Sequence, residues 1–125
     1  MLRNPVTSSK KKELYLLTVY VKRAFGLKNM EVLNFSDAFV VLEFRGQTFE
    51  TPIVQNNLEP WWDQSFQFVI ELTEGESATD AVMQELIKLR VFDHNKVLKN
   101  ELIGCFFFKV NQIRYLFNEN ASSQN

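Results

Sequence analysis

The stretch Phe35-Ser36-Asp37-Ala38-Phe39-Val40-Val41-Leu42-Glu43-Phe44 passes abruptly from a polar loop end into a strand, and it constrains the fold more than any other part of the chain. Side chains of an extended backbone alternate between its two faces. Ala38, Val40, Leu42 and Phe44 therefore share one apolar face that a sheet must bury. Asp37 stands at the boundary. A carboxylate at a loop mouth, backed by a buried strand, is a rigid place to hold a cation.

The same period of two recurs along the sequence. In Leu14–Lys22 the residues Tyr15, Leu17, Val19 and Val21 alternate with Leu16, Thr18, Tyr20 and Lys22, which predicts a half-buried strand. Arg45-Gly46-Gln47 predicts a glycine-centred turn, so Thr48–Val54 returns as a hairpin, with Pro52 confining it to an edge or a bulge. Residues 55–60 read as a loop, and Ser65–Leu72 as a strand with Phe66, Phe68, Ile70 and Leu72 inward. Ala78, Val82, Met83 and Leu86 are spaced for a short turn of helix leading into the strand Leu86–Phe92. Leu102–Val110 is the last clear strand, and its run Phe106-Phe107-Phe108 predicts burial on both faces. Ile113, Tyr115, Leu116 and Phe117 offer a seventh element. Many short strands with little helix predict an all-β antiparallel sandwich over residues 14–117. It is flanked by a flexible leader, residues 1–13, with the run Lys10-Lys11-Lys12, and by a disordered tail, residues 118–125.

The chain of 125 residues suffices for one domain with its own core, and twelve phenylalanines supply large side chains for it. Its 14 basic and 15 acidic side chains nearly cancel, so no overall field favours nucleic acid. Cys105 is the lone cysteine, which fits a reducing compartment and a cytoplasmic setting. No run approaches the ~20 apolar residues of a membrane span, and the start Met1-Leu2-Arg3-Asn4-Pro5 lacks the apolar core of a signal peptide.

Four motifs then occur in order: Leu17-x-Val19-x-Val21-x-x-Ala24-x-x-Leu27; Ser36-Asp37-Ala38-Phe39-Val40; Leu58-Glu59-Pro60-Trp61-Trp62-Asp63-Gln64-Ser65-Phe66; and Leu89-x-Val91-Phe92-Asp93-x-Asn95 followed by Glu101-Leu102-Ile103-Gly104. Together they resemble the C2 domain, the β-sandwich module of many lipid-docking signalling proteins, from about Leu14 to Val110. The second motif is similar to the family's Ser-Asp-Pro-Tyr-Val, with Ala38 for proline and Phe39 for tyrosine. The third is similar to Asn-Pro-x-Trp-Asn-Glu-x-Phe, with Glu59 in the asparagine place. The resemblance implies a Greek-key β-sandwich of C2 type with eight strands, of which six are placed here. With the seventh offered by Ile113, Tyr115, Leu116 and Phe117, the eighth would come from the leader, from a longer parent chain or from a second copy, because an open edge invites pairing.

In that family two loops at one end of the sandwich supply five oxygen-bearing side chains for calcium. The resemblance places these at Glu31, Asp37, Asp93, Asn95 and Glu101. Only Asp37 and Asp93 keep the aspartate that the family carries throughout, which loosens the fit and removes one charge. Val32, Leu33, Val97 and Leu98 lie between the ligand positions, where the family often carries apolar residues that enter the bilayer interface. Lys28, Lys96 and Lys99 surround them and could meet the headgroups of an anionic phospholipid membrane. The family's phosphoinositide-gripping lysines match Val41, Glu43, Glu50 and Pro52. None is basic, so that concave sheet would suit a protein partner better.

Two readings stand. One is a non-catalytic module docking peripherally to phospholipid membranes through apolar loop tips, with weak calcium dependence. The other is a calcium-independent protein-interaction or scaffold domain with a degenerate metal site. Modules of this degenerate kind are similar to those of multi-C2 membrane-trafficking proteins such as ferlins. Trp62 reads as packed and Trp61 as partly exposed. His94 lacks the further nitrogen or sulfur ligands zinc takes, and Cys105 has no histidine beside it, so an enzyme is not expected.

Overall fold

The computed structural model describes residues 12–73 and 82–112. Six strands are present among them: β1 (Lys12–Arg23), β2 (Ala38–Phe44), β3 (Gln47–Glu50), β4 (Trp61–Thr73), β5 (Leu86–Asp93) and β6 (Glu101–Lys109). All pairings are antiparallel: β1 lies beside β4 in one sheet, and the other runs β3-β2-β5-β6. The expected helical turn is a single 3-10 turn, Val82–Gln84. Most of the leader (residues 1–11), Ala78 of the predicted helical turn, the proposed seventh element and the tail lie outside the described residues.

The alternating residues of β2 do what their period demands: Ala38, Val40, Leu42 and Phe44 are all buried. Across from them β4 turns in Phe68, Ile70 and Leu72. The two sheets lock through aromatic contacts, with the Phe68 ring 5.6 Å from Phe44 and 5.0 Å from Phe49, both edge-on. Such pairs add about 0.5–1.5 kcal/mol each to the burial of their area.

Arg45 and Gly46 form the two-residue turn between β2 and β3, at φ of 50° and 77°, the left-handed pair that matches strand twist in tight hairpins. β3 then ends at Glu50, earlier than the period suggested, because Pro52 has no N–H to continue the ladder. Buried Thr51 takes over: its N–H donates to the Val40 carbonyl at 2.9 Å and its hydroxyl accepts the Val40 N–H at 2.9 Å.

The edge of β4 away from β1, which no described strand covers, is blunted by a side chain. Gln47 donates from Nε2 to the Val69 carbonyl at 2.8 Å and accepts the Val69 N–H at 2.9 Å, so an amide stands in for a strand. The expectation for Phe106, Phe107 and Phe108 does not hold, since all three are exposed. Among the described residues β6 is the sheet's edge strand. Phe107 pairs with Lys88 on the outer face, while Phe106 and Phe108 share the face of Leu89 and Ile87 where, among the described residues, the opposing sheet has only two strands.

The outer face of the four-stranded sheet also carries basic residues, which lie outside the four positions matched to the family's lysines. Arg90 lies opposite Val41 and Lys88 opposite Glu43. Arg90 is ion-paired with Glu43 and packs on Phe92, and Lys88 sits over Phe107.

Candidate metal centre

The start of β2 and the end of β5 are neighbours, with Ala38 opposite Asp93. This register brings Asp37 and Asp93 together although 56 residues separate them in sequence. Asp93 is buried. Its Oδ1 accepts the Asp37 N–H at 2.8 Å, and the His94 N–H donates to the Asp37 carbonyl at 2.8 Å. Asp37 Oδ1 in turn accepts the Asn56 N–H at 2.7 Å. Each carboxylate is therefore tethered to the backbone through one oxygen.

Glu31 arrives from the loop of residues 24–37, whose shape is held by its own polar side chains. The Ser36 hydroxyl, fully buried, accepts the Met30 N–H at 2.9 Å. Asn29 accepts the Glu31 N–H at 3.1 Å and donates to the Asn34 carbonyl at 3.1 Å. Asn56 adds a bridge from the neighbouring loop, accepting the Phe35 N–H at 2.8 Å. Its φ of 50° is tolerated because asparagine enters the left-handed region more readily than most residues. Asn29 and Asn56 were missed as site residues. The only signal for Asn56 was an Asn-Asn pair in a turn-like segment.

Of the five expected ligands, Glu31, Asp37 and Asp93 converge: one oxygen from each lies within 4.8 Å of the others. Glu101 pairs with Asp93 across β5 and β6 and acts on Glu31 through its charge. Asn95 is turned to the loop of residues 94–100 itself, where its Oδ1 accepts the Leu98 N–H at 3.2 Å and its own N–H donates to Asn100 Oδ1 at 2.8 Å. The arrangement suits a hard cation. Two oxygens each ~2.4 Å from one calcium can be at most ~4.8 Å apart, and all three donors are carboxylate oxygens.

The cluster strains its own protonation. Glu31 is held above its ordinary value of 4.5, first by its hydrogen bond to Asp93, then by the Asp93 charge, partial burial and the charges of Asp37 and Glu101. A carboxyl whose proton is bound more tightly in the folded chain loses stability for the fold as pH rises from the ordinary value through the raised one. Thermal unfolding followed across that window should show this loss, and Glu31→Gln should flatten it. A cation held by these carboxylates would have to displace the same proton, so any affinity for one should rise across the same window in the native chain and not in the variant.

The apolar residues of the two loops are bare: Val32 is 97 % exposed, Leu33 92 %, Val97 90 % and Leu98 71 %. Lys28, Lys96 and Lys99 are exposed on the same loops. At the base, Trp62 is buried and donates from Nε1 to the Ala38 carbonyl at 3.2 Å. Ala38 also donates its N–H to the Val54 carbonyl at 3.0 Å, a bond that a proline at this place could not make.

The sequence model of the C2 domain family matches residues 15–124. Synaptotagmin-5 of Arabidopsis thaliana is 32 % identical over 97 residues, covering 75 % of this chain and 16 % of that protein. Myoferlin of Mus musculus is 31 % identical over 93 residues, covering 74 % of this chain and 4 % of that protein. The chain thus spans less than a fifth of either relative's length. Among solved structures, a C2 domain of a plant extended synaptotagmin 1 superposes with a TM-score of 0.66 at 21 % identity, covering 78 % of this chain and 70 % of that one.

Proposed function

The chain belongs to the C2 domain family, and from that premise we propose that it is a non-catalytic module that docks on anionic phospholipid membranes by inserting Val32, Leu33, Val97 and Leu98 into the interface. The observation that carries this reading is the bareness of four large apolar side chains on the two loops that flank the acidic cluster. In water such exposure gains nothing, whereas burial of each side chain contributes about 1.5–3 kcal/mol when complete. Lys28, Lys96 and Lys99 add about 1 kcal/mol each beside anionic headgroups.

Glu31, Asp37 and Asp93 would hold calcium, with Glu101 at the rim. The ion would supply positive charge that cancels the repulsion between these carboxylates and the headgroups. Asn95 brings no charge and spends its oxygen on Leu98, so the calcium dependence is weak. Among the described residues no helix is long and apolar enough to cross a membrane. On this reading the module works from the cytoplasmic side, peripheral to membranes, within a longer protein like the relatives that carry such modules.

The second reading, a calcium-independent protein-interaction module, is favoured by one feature. On the outer face of the four-stranded sheet Arg90 is tied to Glu43, leaving apolar Val41 and Phe107 beside a neutralised pair. Co-sedimentation with phosphatidylserine-containing vesicles, with calcium and with chelator, separates the two. Membrane docking predicts pelleting in both conditions with a several-fold gain in calcium, and no pelleting in either would overturn it.

A further inference from the structure

At the loop end of the sandwich, outside both the acidic cluster and the loop tips, the structure holds a second arrangement suited to a phosphate-bearing surface. Arg23 closes β1 and Trp61 opens β4, and the two are register partners. The Arg23 guanidinium lies 4.8 Å from the centre of the Trp61 ring and 5.3 Å from that of Phe25. Lys22 approaches the same indole at 5.7 Å. Both rings are largely in water, Phe25 at 69 % and Trp61 at 50 % exposure.

Three features single this patch out. Among the described arginines Arg23 alone has no ion-paired carboxylate, since Arg45 and Arg90 are each paired, and its neighbour Lys22 is unpaired as well. Stacking on two rings keeps the guanidinium planar fork ordered while its donors stay free, and such a fork matches phosphate oxygens two at a time. Indole and phenyl rings with one face apolar and an edge in water sit well at the headgroup level of a bilayer. The backbone ties the patch to the docking end: Ala24 donates to the Pro60 carbonyl at 3.0 Å and Leu27 to the Leu58 carbonyl at 3.4 Å, joining the stems of two loops.

We propose that Lys22, Arg23, Phe25 and Trp61 form a lateral lip that grips phospholipid phosphates, so that the domain lies tilted with the Arg23 end of β1 against an anionic bilayer. This rests on the docking reading above and adds to it the orientation and a phosphate-binding residue. The occupant is a bilayer because its interface offers phosphates beside apolar chain at the depth of one ring, and the patch offers cations beside rings.

The chain contains two tryptophans, of which Trp62 is buried, so Trp61 reports the lip. The experiment follows emission of the intact chain on vesicles of phosphatidylcholine and phosphatidylserine with brominated acyl chains, alongside pelleting. Binding should shift the emission to shorter wavelength and quench part of it. Trp61→Phe should remove that quenching while the protein still pellets. Arg23→Gln should weaken pelleting by roughly five-fold, with unfolding temperature unchanged. Pelleting with undisturbed Trp61 emission would overturn the lip and leave tip docking standing. Absence of pelleting would overturn both.

Discussion

Replacing Phe68 with alanine is expected to lower the stability of the fold by about 3–5 kcal/mol, the usual cost of removing a buried ring. Phe68 is the largest side chain with no exposure at all, and it meets rings from both β2 and β3. The ladder with Leu17 of β1 fixes the backbone around it, so the site cannot collapse to fill the space. Against a total of about 5–15 kcal/mol for a domain, the loss brings the chain near unfolding and should shift the thermal midpoint down by roughly 10–20 °C. Phe107→Ala is the matched control, because that ring is exposed and lies under the Lys88 ammonium. Its cost should stay below about 1 kcal/mol. Equal midpoints for the two variants would mean that the core is not centred between β2 and β4.

The core was legible because a period of two is a direct statement about faces. Ala38 to Phe44 reads the same in sequence and in structure, and so do Phe68, Ile70 and Leu72. The failure at Phe106 and Phe108 has the opposite cause: apolarity says that a residue would gain from burial, not that a partner stands opposite. The site divides in the same way. Asp37 and Asp93 could be paired through the family resemblance, and Glu31 with them. What turns Asn95 aside is the hydrogen bond from Leu98 within its own loop, and short loops satisfy their backbone locally in ways that spacing does not encode. The bridging role of Asn56 was equally hidden, since it depends on a left-handed backbone and a contact across 21 residues to Phe35.

Changing Leu33 and Leu98 together to aspartate should reduce affinity for phosphatidylserine vesicles by about 100-fold or more. The lower figure of about 1.5 kcal/mol for each side chain gives about 3 kcal/mol for the pair, and each 1.4 kcal/mol is tenfold in affinity. Two carboxylates facing anionic headgroups add repulsion on top. Neither residue belongs to the core cluster and both are exposed, so the unfolding temperature of the variant should match that of the native chain, and any loss is a loss of docking. Salt distinguishes this insertion from attraction by the lysines. The contribution of Lys28, Lys96 and Lys99 fades as the screening length shrinks from about 10 Å at 0.1 M to about 3 Å at 1 M salt, while burial of Leu33 and Leu98 does not. Native chain should therefore retain part of its pelleting at high salt and the aspartate variant none. Unchanged vesicle binding by the variant at low and high salt would show that the apolar tips do not enter the interface.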